Sequence, residues 1–165
     1  MPPGPSAAVR EKAAATHRAK RAARMSLAET EACAEWVALR ERPDFMFGLA
    51  LYIGEGDKTM NSLALINTDV DVLRAALRFY RLVGVAHGTV RARIFLHEGR
   101  EEGAAVAYWA GALGIAPDRF SKTSWKKSGG LRRAVHPWGL CCVQAHNAHL
   151  KRKVRIWMRL ALAAE

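Results

Sequence analysis

The sequence predicts an α+β fold, in which helices cover one face of a mixed or antiparallel sheet and basic helices precede the sheet. From residue 44 onward the chain reads as helix, strand, helix, strand, helix, strand, strand and helix, without the uniform alternation of a parallel α/β fold. Segment 90–97 also alternates strictly between apolar and polar residues, as a strand with one buried face does. The length of 165 residues suits one domain at 43–165, with a basic helical arm at 1–42.

The arm should be helical but divided. Residues 10–24 are rich in alanine and carry six Lys or Arg against one acid, which favours a solvated helix. Ser26 and Glu29 have the spacing of a capping box and predict a second helix at 27–41, ended by Pro43. Residues 1–9, rich in Pro and Gly, should be mobile, and segment 10–24 suits either a contact with the DNA backbone or a mobile basic tail.

The central elements follow from their caps and periodicity. An apolar helix at 44–54 begins at Asp44, and the glycines at 54 and 56 should stop it. A strand at 62–67 follows, and then a helix at 70–83, which Thr68 or Asp69 caps and Gly84 closes.

Strand 90–97 has one apolar face and one basic face. Val90, Ala92, Ile94 and Leu96 point to one side, and Arg91, Arg93, Phe95 and His97 point to the other. The two arginines suit contacts with phosphates or guanines, and the alternative is an ordinary solvated face.

The last third of the sequence begins with a predicted helix at 101–113. Two strands should follow at 118–126 and 139–147, joined by a loop at 128–138. A basic amphipathic helix is predicted at 149–163. Residues 119–133 carry six Lys or Arg and no acid, interleaved with Phe120 and Trp125. That pattern favours tracking of a nucleic-acid backbone with some base stacking. The apolar side of the last helix should pack on the sheet, the alternative being a membrane surface.

The overall charge supports a polyanionic partner. There are 26 Lys and Arg against 15 acids, a net charge of +11, which attracts nucleic acid or an anionic membrane. No apolar run is long enough for a transmembrane helix, and the N-terminus lacks the pattern of a signal peptide, so we expect no membrane partner.

The three cysteines indicate a reducing compartment. Their odd number and the adjacent pair Cys141 and Cys142 make a poor disulfide framework, which favours a cytoplasmic protein. If it binds DNA, we expect it to be associated with the nucleoid. Neighbouring strand residues point to opposite faces, so this pair does not converge easily on a zinc ion.

The segment Gly48–Gly56 carries the most specific pattern. Ala50 and Gly54 are four residues apart, so they share a helix face on which a second helix could approach closely. Glu55 follows the expected helix end, where a carboxylate beside exposed carbonyls suits Mg²⁺. The alternative is a buried helix that ends in a glycine-rich turn with solvated acids.

This segment resembles a LAGLIDADG motif, the dimerisation and catalysis helix of a homing-endonuclease fold. Ala50 and Gly54 stand where the motif has its small packing residues, and Glu55 stands at its metal-binding acid, while Ile53 replaces its other acid. With Asn67-Thr-Asp69, Tyr108-Trp109 and Lys122–Lys127, residues 44–163 resemble a group of small, mostly actinobacterial proteins. These join a helix-turn-helix to one LAGLIDADG-like domain, and this chain lacks a complete helix-turn-helix.

The resemblance implies a sheet that lies as a saddle over the DNA major groove and a homodimer built on Ala50 and Gly54. It implies Mg²⁺ ligands at Glu55 and the Gly54 carbonyl, with Lys122 and Lys126 as catalytic basic residues. The domain also occurs in a regulator without nuclease activity, so it implies DNA contact more directly than cleavage.

Three functions therefore stay open. The first is a protein that binds double-stranded DNA through a basic sheet, with a regulatory role as one option; the second is a Mg²⁺-dependent homodimeric DNA endonuclease centred on Glu55. The third is an RNA-binding or protein-interaction module. The candidate DNA contacts are Lys58, Asn61, Arg91, Arg93, Lys122, Trp125, Lys126, Lys127, Arg132 and Arg133.

Overall fold

A computed structural model describes residues 6–127 and 136–163 and confirms the α+β class. Within these ranges the chain forms five α-helices and one four-stranded mixed sheet. The helices are α1 (Ala7–Leu39), α2 (Pro43–Glu55), α3 (Val70–Leu82), α4 (Glu102–Leu113) and α5 (Ala148–Leu162). The strands are β1 (Leu63–Asn67), β2 (Arg91–His97), β3 (Phe120–Lys126) and β4 (Leu140–Ala145).

The sheet has the strand order β1-β4-β2-β3. Strand β4 pairs antiparallel with both β1 and β2, whereas β2 and β3 are parallel and α4 connects them. Helices α2, α3 and α4 pack on one face of the sheet, and α5 joins α1 to this layer. The core between them contains Leu65, Ile94 and Val143 from the strands, with Trp109 and Trp157 from the helices.

Helix α1 is continuous, so the predicted break at Ser26 is wrong. Ser26 lies inside the helix and its carbonyl accepts a hydrogen bond from the Thr30 hydroxyl. Glu29 does not reach back to cap a new helix, because its carboxylate pairs with Arg159 of α5 at 2.6 Å. Ala28 and Ala32 are fully buried against the core, whereas residues 6–27 are exposed.

The bounds of α2 also differ from the prediction. Arg42 rather than Asp44 is the N-cap, because Pro43 fits the first helical position, where no N–H is needed. At the other end the helix passes through Gly54 and Glu55, and Gly56 is the C-cap. A side chain at Gly56 would collide with Tyr52, so this glycine rather than Gly54 permits the turn.

The caps of α3 and α4 follow the sequence more closely. The Asp69 carboxylate accepts hydrogen bonds from the Asp71 and Val72 N–H groups, which confirms it as the α3 cap. Gly114 ends α4 in the left-handed conformation, with φ of 65°. The strands predicted at 118–126 and 139–147 are shorter, since residues 117–119 form a 3-10 turn and Asn147 caps α5.

Candidate nucleic-acid interface

The sheet face opposite the helices, which we call the open face, carries the predicted cations of β2. The register places Arg91 opposite Gln144 and Arg93 opposite Cys142, while the alternate residues Ala92 and Ile94 are buried in the core. Arg91 and Arg93 are both exposed. The period of two in the sequence therefore predicted which side chains face outward.

Strand β3 extends this basic surface. Lys126 is paired with His97 and its ammonium lies 5.6 Å from the centre of the Phe95 ring, which is within the range of a cation–π contact. On the same face, Arg93 Nε donates to the Ser121 hydroxyl at 3.2 Å, which orients the guanidinium. Three cations from two adjacent strands thus face outward together.

A bulge in β3 interrupts the alternation of side chains at Lys122, which is exposed. Ser121 pairs with Arg93 and Ser124 pairs with Phe95, so Lys122 and Thr123 together oppose the single residue Ile94. Trp125 is then in register with buried Leu96, on the helix-covered side of the sheet, although it is 46% exposed. Its ring therefore lies on the other side of the sheet from Lys126.

The remaining predicted DNA contacts lie outside β2 and β3, the strands that carry the cations of the open face. Lys127 is exposed directly after β3. Arg132 and Arg133 lie outside the described residues. Asn61 is exposed before β1, and the side chain of Gln144 bridges the Ser62 hydroxyl at 3.1 Å and the His146 ring at 2.9 Å.

The vicinal cysteines are not reactive groups of this face. Burial raises the pKa of Cys142 to about 11, against a smaller opposing effect of Arg93, and burial also raises the pKa of Cys141. Both residues are therefore protonated, inert thiols near neutral pH.

The end of α2 brings Glu55 to the outer edge of β1. Gly56 forms an isolated bridge with Leu65, and Glu55 makes a long contact of 3.5 Å with the Asn67 amide. The Gly54 carbonyl, expected as a metal ligand, instead accepts a hydrogen bond from the Lys58 ammonium at 3.3 Å. The Lys58 ammonium therefore already lies against the carbonyl oxygen that a metal cation would need.

Asp57 does not complete a metal site either. Its carboxylate accepts hydrogen bonds from the Thr59 and Met60 N–H groups, and these, the Met60 bond first, lower its pKa. Across residues 6–127 and 136–163, no group of three or more His, Cys, Asp or Glu side chains could hold a metal. Glu55 in one chain therefore belongs to no such group, and the Mg²⁺ site stays a prediction.

The residues predicted to act together in catalysis lie apart. Glu55 is beside β1, whereas Lys122 and Lys126 are on β3 at the opposite edge of the sheet. Three strand spacings separate these edges, roughly 14 Å. One chain thus has a basic surface and a carboxylate, but not an assembled catalytic centre.

A buried lysine that the sequence did not single out connects the end of α2 to α5. Lys151 is 2% exposed, and its ammonium donates to the Tyr52 hydroxyl at 2.6 Å and to the Asp57 carbonyl. The Tyr52 hydroxyl in turn donates to the same carbonyl at 2.9 Å and accepts from the Ala64 N–H. The available signal was its helical spacing with Val154 and Met158, which places a lysine on the apolar side of α5.

Helix α2 also has an exposed apolar stripe. Phe47, Ala50 and Gly54 are exposed, and a side chain at Gly54 would meet nothing within 4 Å. Gly48, by contrast, lies against Phe79 of α3. The residues predicted for a dimer contact are therefore unoccupied by the chain's own packing.

No protein-family model matches this chain, and comparisons with curated proteins and with solved structures returned no significant match. In the part of the chain that the structure describes, no helix has both the length and the apolar character needed to cross a membrane. The family resemblance accordingly stays a prediction that depends on the motif residues.

Proposed function

We propose that this protein binds double-stranded DNA with the open face of its sheet. The observation that carries the proposal is the outward grouping of Arg91, Arg93 and Lys126 on two adjacent strands. Helices cover the other face, so the open face is the side on which a large partner can lie.

The dimensions and the charge of this face suit duplex DNA. Each phosphate that a Lys or Arg neutralises releases condensed counterions, which favours binding at low salt. The outer strands are roughly 14 Å apart, comparable with the major-groove width of about 12 Å. A sheet laid along the groove would place the arginines of β2 near its floor and the edges near the phosphates.

The experiment is a titration of a fluorescent duplex at several salt concentrations. Replacing Arg91 and Arg93 by Gln should weaken binding roughly tenfold or more and reduce the slope of log K against log salt by about 2. The matched control is the pair Arg78→Gln and Arg81→Gln on α3, which removes the same charge from the helix side of the sheet. Equal loss in both variants would show attraction by net charge alone.

Single-stranded RNA is the second probe of the same experiment. The open face has few exposed aromatic side chains for base stacking, because Trp125 is turned to the other side and Phe95 lies under Lys126. Duplex DNA should therefore compete better than RNA of the same length. The reverse order would favour the RNA-binding function.

DNA cleavage is a second candidate, and the exposed stripe of α2 is the observation that favours it. A second copy packed on Ala50 and Gly54 would bring two Glu55 carboxylates close together, which one chain cannot do. We therefore assign any nuclease activity to a homodimer. Incubation of supercoiled DNA with the protein and Mg²⁺ should produce nicks that Glu55→Gln abolishes, while Glu55→Gln leaves DNA binding intact. Nicking that persists in the variant would remove Glu55 from the reaction.

A further inference from the structure

A second basic region lies between α1 and α5, away from the open face. It is a cleft of about 690 Å³. Among the described residues its polar lining consists of cationic side chains, His17 and one amide, with no carboxylate. The residues are His17, Lys20, Arg21, Arg24, Asn61, Lys151, Arg152, Arg155 and Arg159.

The two walls result from helical spacing. On α1, Lys20, Arg21 and Arg24 recur at intervals of one and three residues, so they share one side of the helix. Lys151, Arg152 and Arg155 have the same spacing on α5 and form the facing wall. No acid occurs between Glu11 and Glu29 or within α5, so both walls are positive.

Two acids of α1, Glu31 and Glu35, neutralise a part of α5 that does not line the cleft. Glu31 pairs with His149 at 2.7 Å and Glu35 pairs with Lys153 at 2.5 Å, both beside the C-terminal half of α1. Of the cations lining the cleft, only Arg159 has a carboxylate partner among the described residues. The facing walls therefore repel each other until an anion enters between them.

Lys151 lies at the base of the cleft and lacks a counter-ion. Its ammonium is satisfied by a hydroxyl and a carbonyl, and the Arg155 guanidinium beside it donates to the Lys58 carbonyl. Burial first, and Arg155 second, lower the pKa of Lys151 to about 8. A bound anion would remove this destabilisation.

The cleft connects to the open face. Asn61 and Ala148 also line a neighbouring depression that includes Gln144 and His146. Gln144 is the residue directly opposite Arg91 in the sheet. A positive or polar surface thus runs from Arg91 through Gln144 and Asn61 to Lys151.

We propose that the α1–α5 cleft holds the phosphate backbone of the same DNA duplex, beyond the part that the open face covers; this inference rests on the proposed function. A linear polyanion fits a groove that is open, charged on both walls and continuous with the first site. Among the described residues that line the cleft there is no Phe, Tyr or Trp to stack a base, which favours backbone over nucleobase recognition.

The experiment compares two duplex lengths. A seven-residue strand spans about 23 Å, so a hairpin duplex of about 7 base pairs matches the open face, whereas a duplex of about 25 base pairs also reaches the cleft. The variant Lys20→Gln, Arg21→Gln, Arg24→Gln should bind the long duplex at least tenfold more weakly and reduce its salt slope by about 2 to 3. Its binding of the short duplex should match the wild type.

The matched control removes three other cations from the same helix. Arg10, Lys12 and Arg18 do not line the cleft, so Arg10→Gln, Lys12→Gln, Arg18→Gln should lose much less affinity for the long duplex. Equal losses in the two triple variants, or no loss in either, would overturn the inference.

The outcomes separate this inference from the proposed function. If the wild type binds neither duplex, the proposed function fails. If the variant Arg91→Gln, Arg93→Gln binds both duplexes more weakly but the cleft variant binds them as the wild type does, only the inference fails. If inorganic polyphosphate binding depends on Lys20, Arg21 and Arg24 but long-duplex binding does not, the occupant is a different phosphate polymer and the inference is overturned.

Discussion

At the scale of single residues, Lys151 shows how the fold holds a charge where water hardly reaches it. Its two hydrogen-bond acceptors, the Tyr52 hydroxyl and the Asp57 carbonyl, belong to α2 and to the loop that follows it. The ammonium therefore joins α5 to the end of the motif. Burial also raises the pKa of Tyr52 to about 12, so this hydroxyl stays protonated and donates to the Asp57 carbonyl.

The titration of Lys151 gives a stability prediction. Its pKa falls from the usual 10.5 to about 8 in the folded protein, so the unfolded chain binds the proton more tightly. Below about pH 8 the buried ammonium destabilises the folded state fully, and this penalty disappears as the pH rises toward 10.5. The stability of the folded protein should therefore increase through that window.

The measurement is chemical denaturation of the wild type and Lys151→Met at several pH values. Between pH 8 and pH 10.5 the unfolding free energy of the wild type should rise relative to that of Lys151→Met. The buried cysteines make stability fall with rising pH, because burial raises the pKa of their thiols. Their contribution is the same in both proteins, so it cancels in the comparison. A difference that is constant with pH would contradict the prediction.

Gly48 and Gly54 make a second prediction at this scale. A Cβ at Gly48 would lie 2.5 Å from the Phe79 ring, whereas one at Gly54 would meet nothing within 4 Å. Gly48→Ala should therefore destabilise the protein by about 1–3 kcal/mol. Gly54→Ala should be neutral or stabilising by up to about 1 kcal/mol, because alanine is the better helix former. Thermal unfolding at low protein concentration measures both, and the opposite ranking would show that α2 and α3 pack differently.

At the scale of elements, α1 has two halves with different roles. Residues 6–27 are exposed, whereas Ala28 and Ala32 are buried and the Ala32 carbonyl accepts from the Trp157 indole at 3.0 Å. The boundary predicted at residue 42 stays a prediction, and this packing indicates that the second half of α1 is needed by the core.

Two truncations test the division. Removal of residues 1–25 should leave the unfolding free energy nearly unchanged, because the described part of that segment buries little apolar surface. Removal of residues 1–42 should cost several kcal/mol, since it uncovers Trp157 and Phe45, at roughly 25 cal/mol for each Å² exposed. Denaturation with urea measures both, and Trp157 fluorescence should shift to the red only in the longer truncation. Equal stability of the two would place the whole arm outside the core.

The elements also show where sequence reasoning succeeded and failed. Strand parity identified the outward side of β2, and the Asp69 cap located α3, because both depend on neighbours in the chain. The capping box at Ser26 failed because α1 continues through Ser26, and Glu29 pairs instead with Arg159 of α5, which is distant in sequence. The bulge in β3 could not be predicted for a similar reason, since it is set by the pairing of β2 with β3. The α1–α5 cleft was beyond reach, because composition gives the charge of two helices but not their facing orientation.

At the scale of the whole molecule, one chain presents three surfaces on one core: the open face, the α1–α5 cleft and the exposed stripe of α2. The first two are basic and suit one polyanion. The third is apolar, and its small residues Ala50 and Gly54 leave room for another helix. We propose that a two-fold dimer on this stripe binds one duplex with both of its open faces, so that binding of the first makes binding of the second effectively intramolecular.

If the protein dimerises through α2, its self-association and its affinity for DNA should change together. Ala50→Glu places two like charges face to face across the two-fold axis, so it should convert a dimer into a monomer in sedimentation velocity at tens of micromolar. Ala107→Glu, at an exposed alanine of α4, introduces the same charge elsewhere and should leave the dimer intact. The monomeric variant should retain the thermal stability of this control yet bind a long duplex at least tenfold more weakly, because it loses the second open face. A wild type that stays monomeric at these concentrations, or an Ala50→Glu variant that stays dimeric, would exclude α2 as the interface and, with it, the pairing of Glu55 residues that cleavage requires.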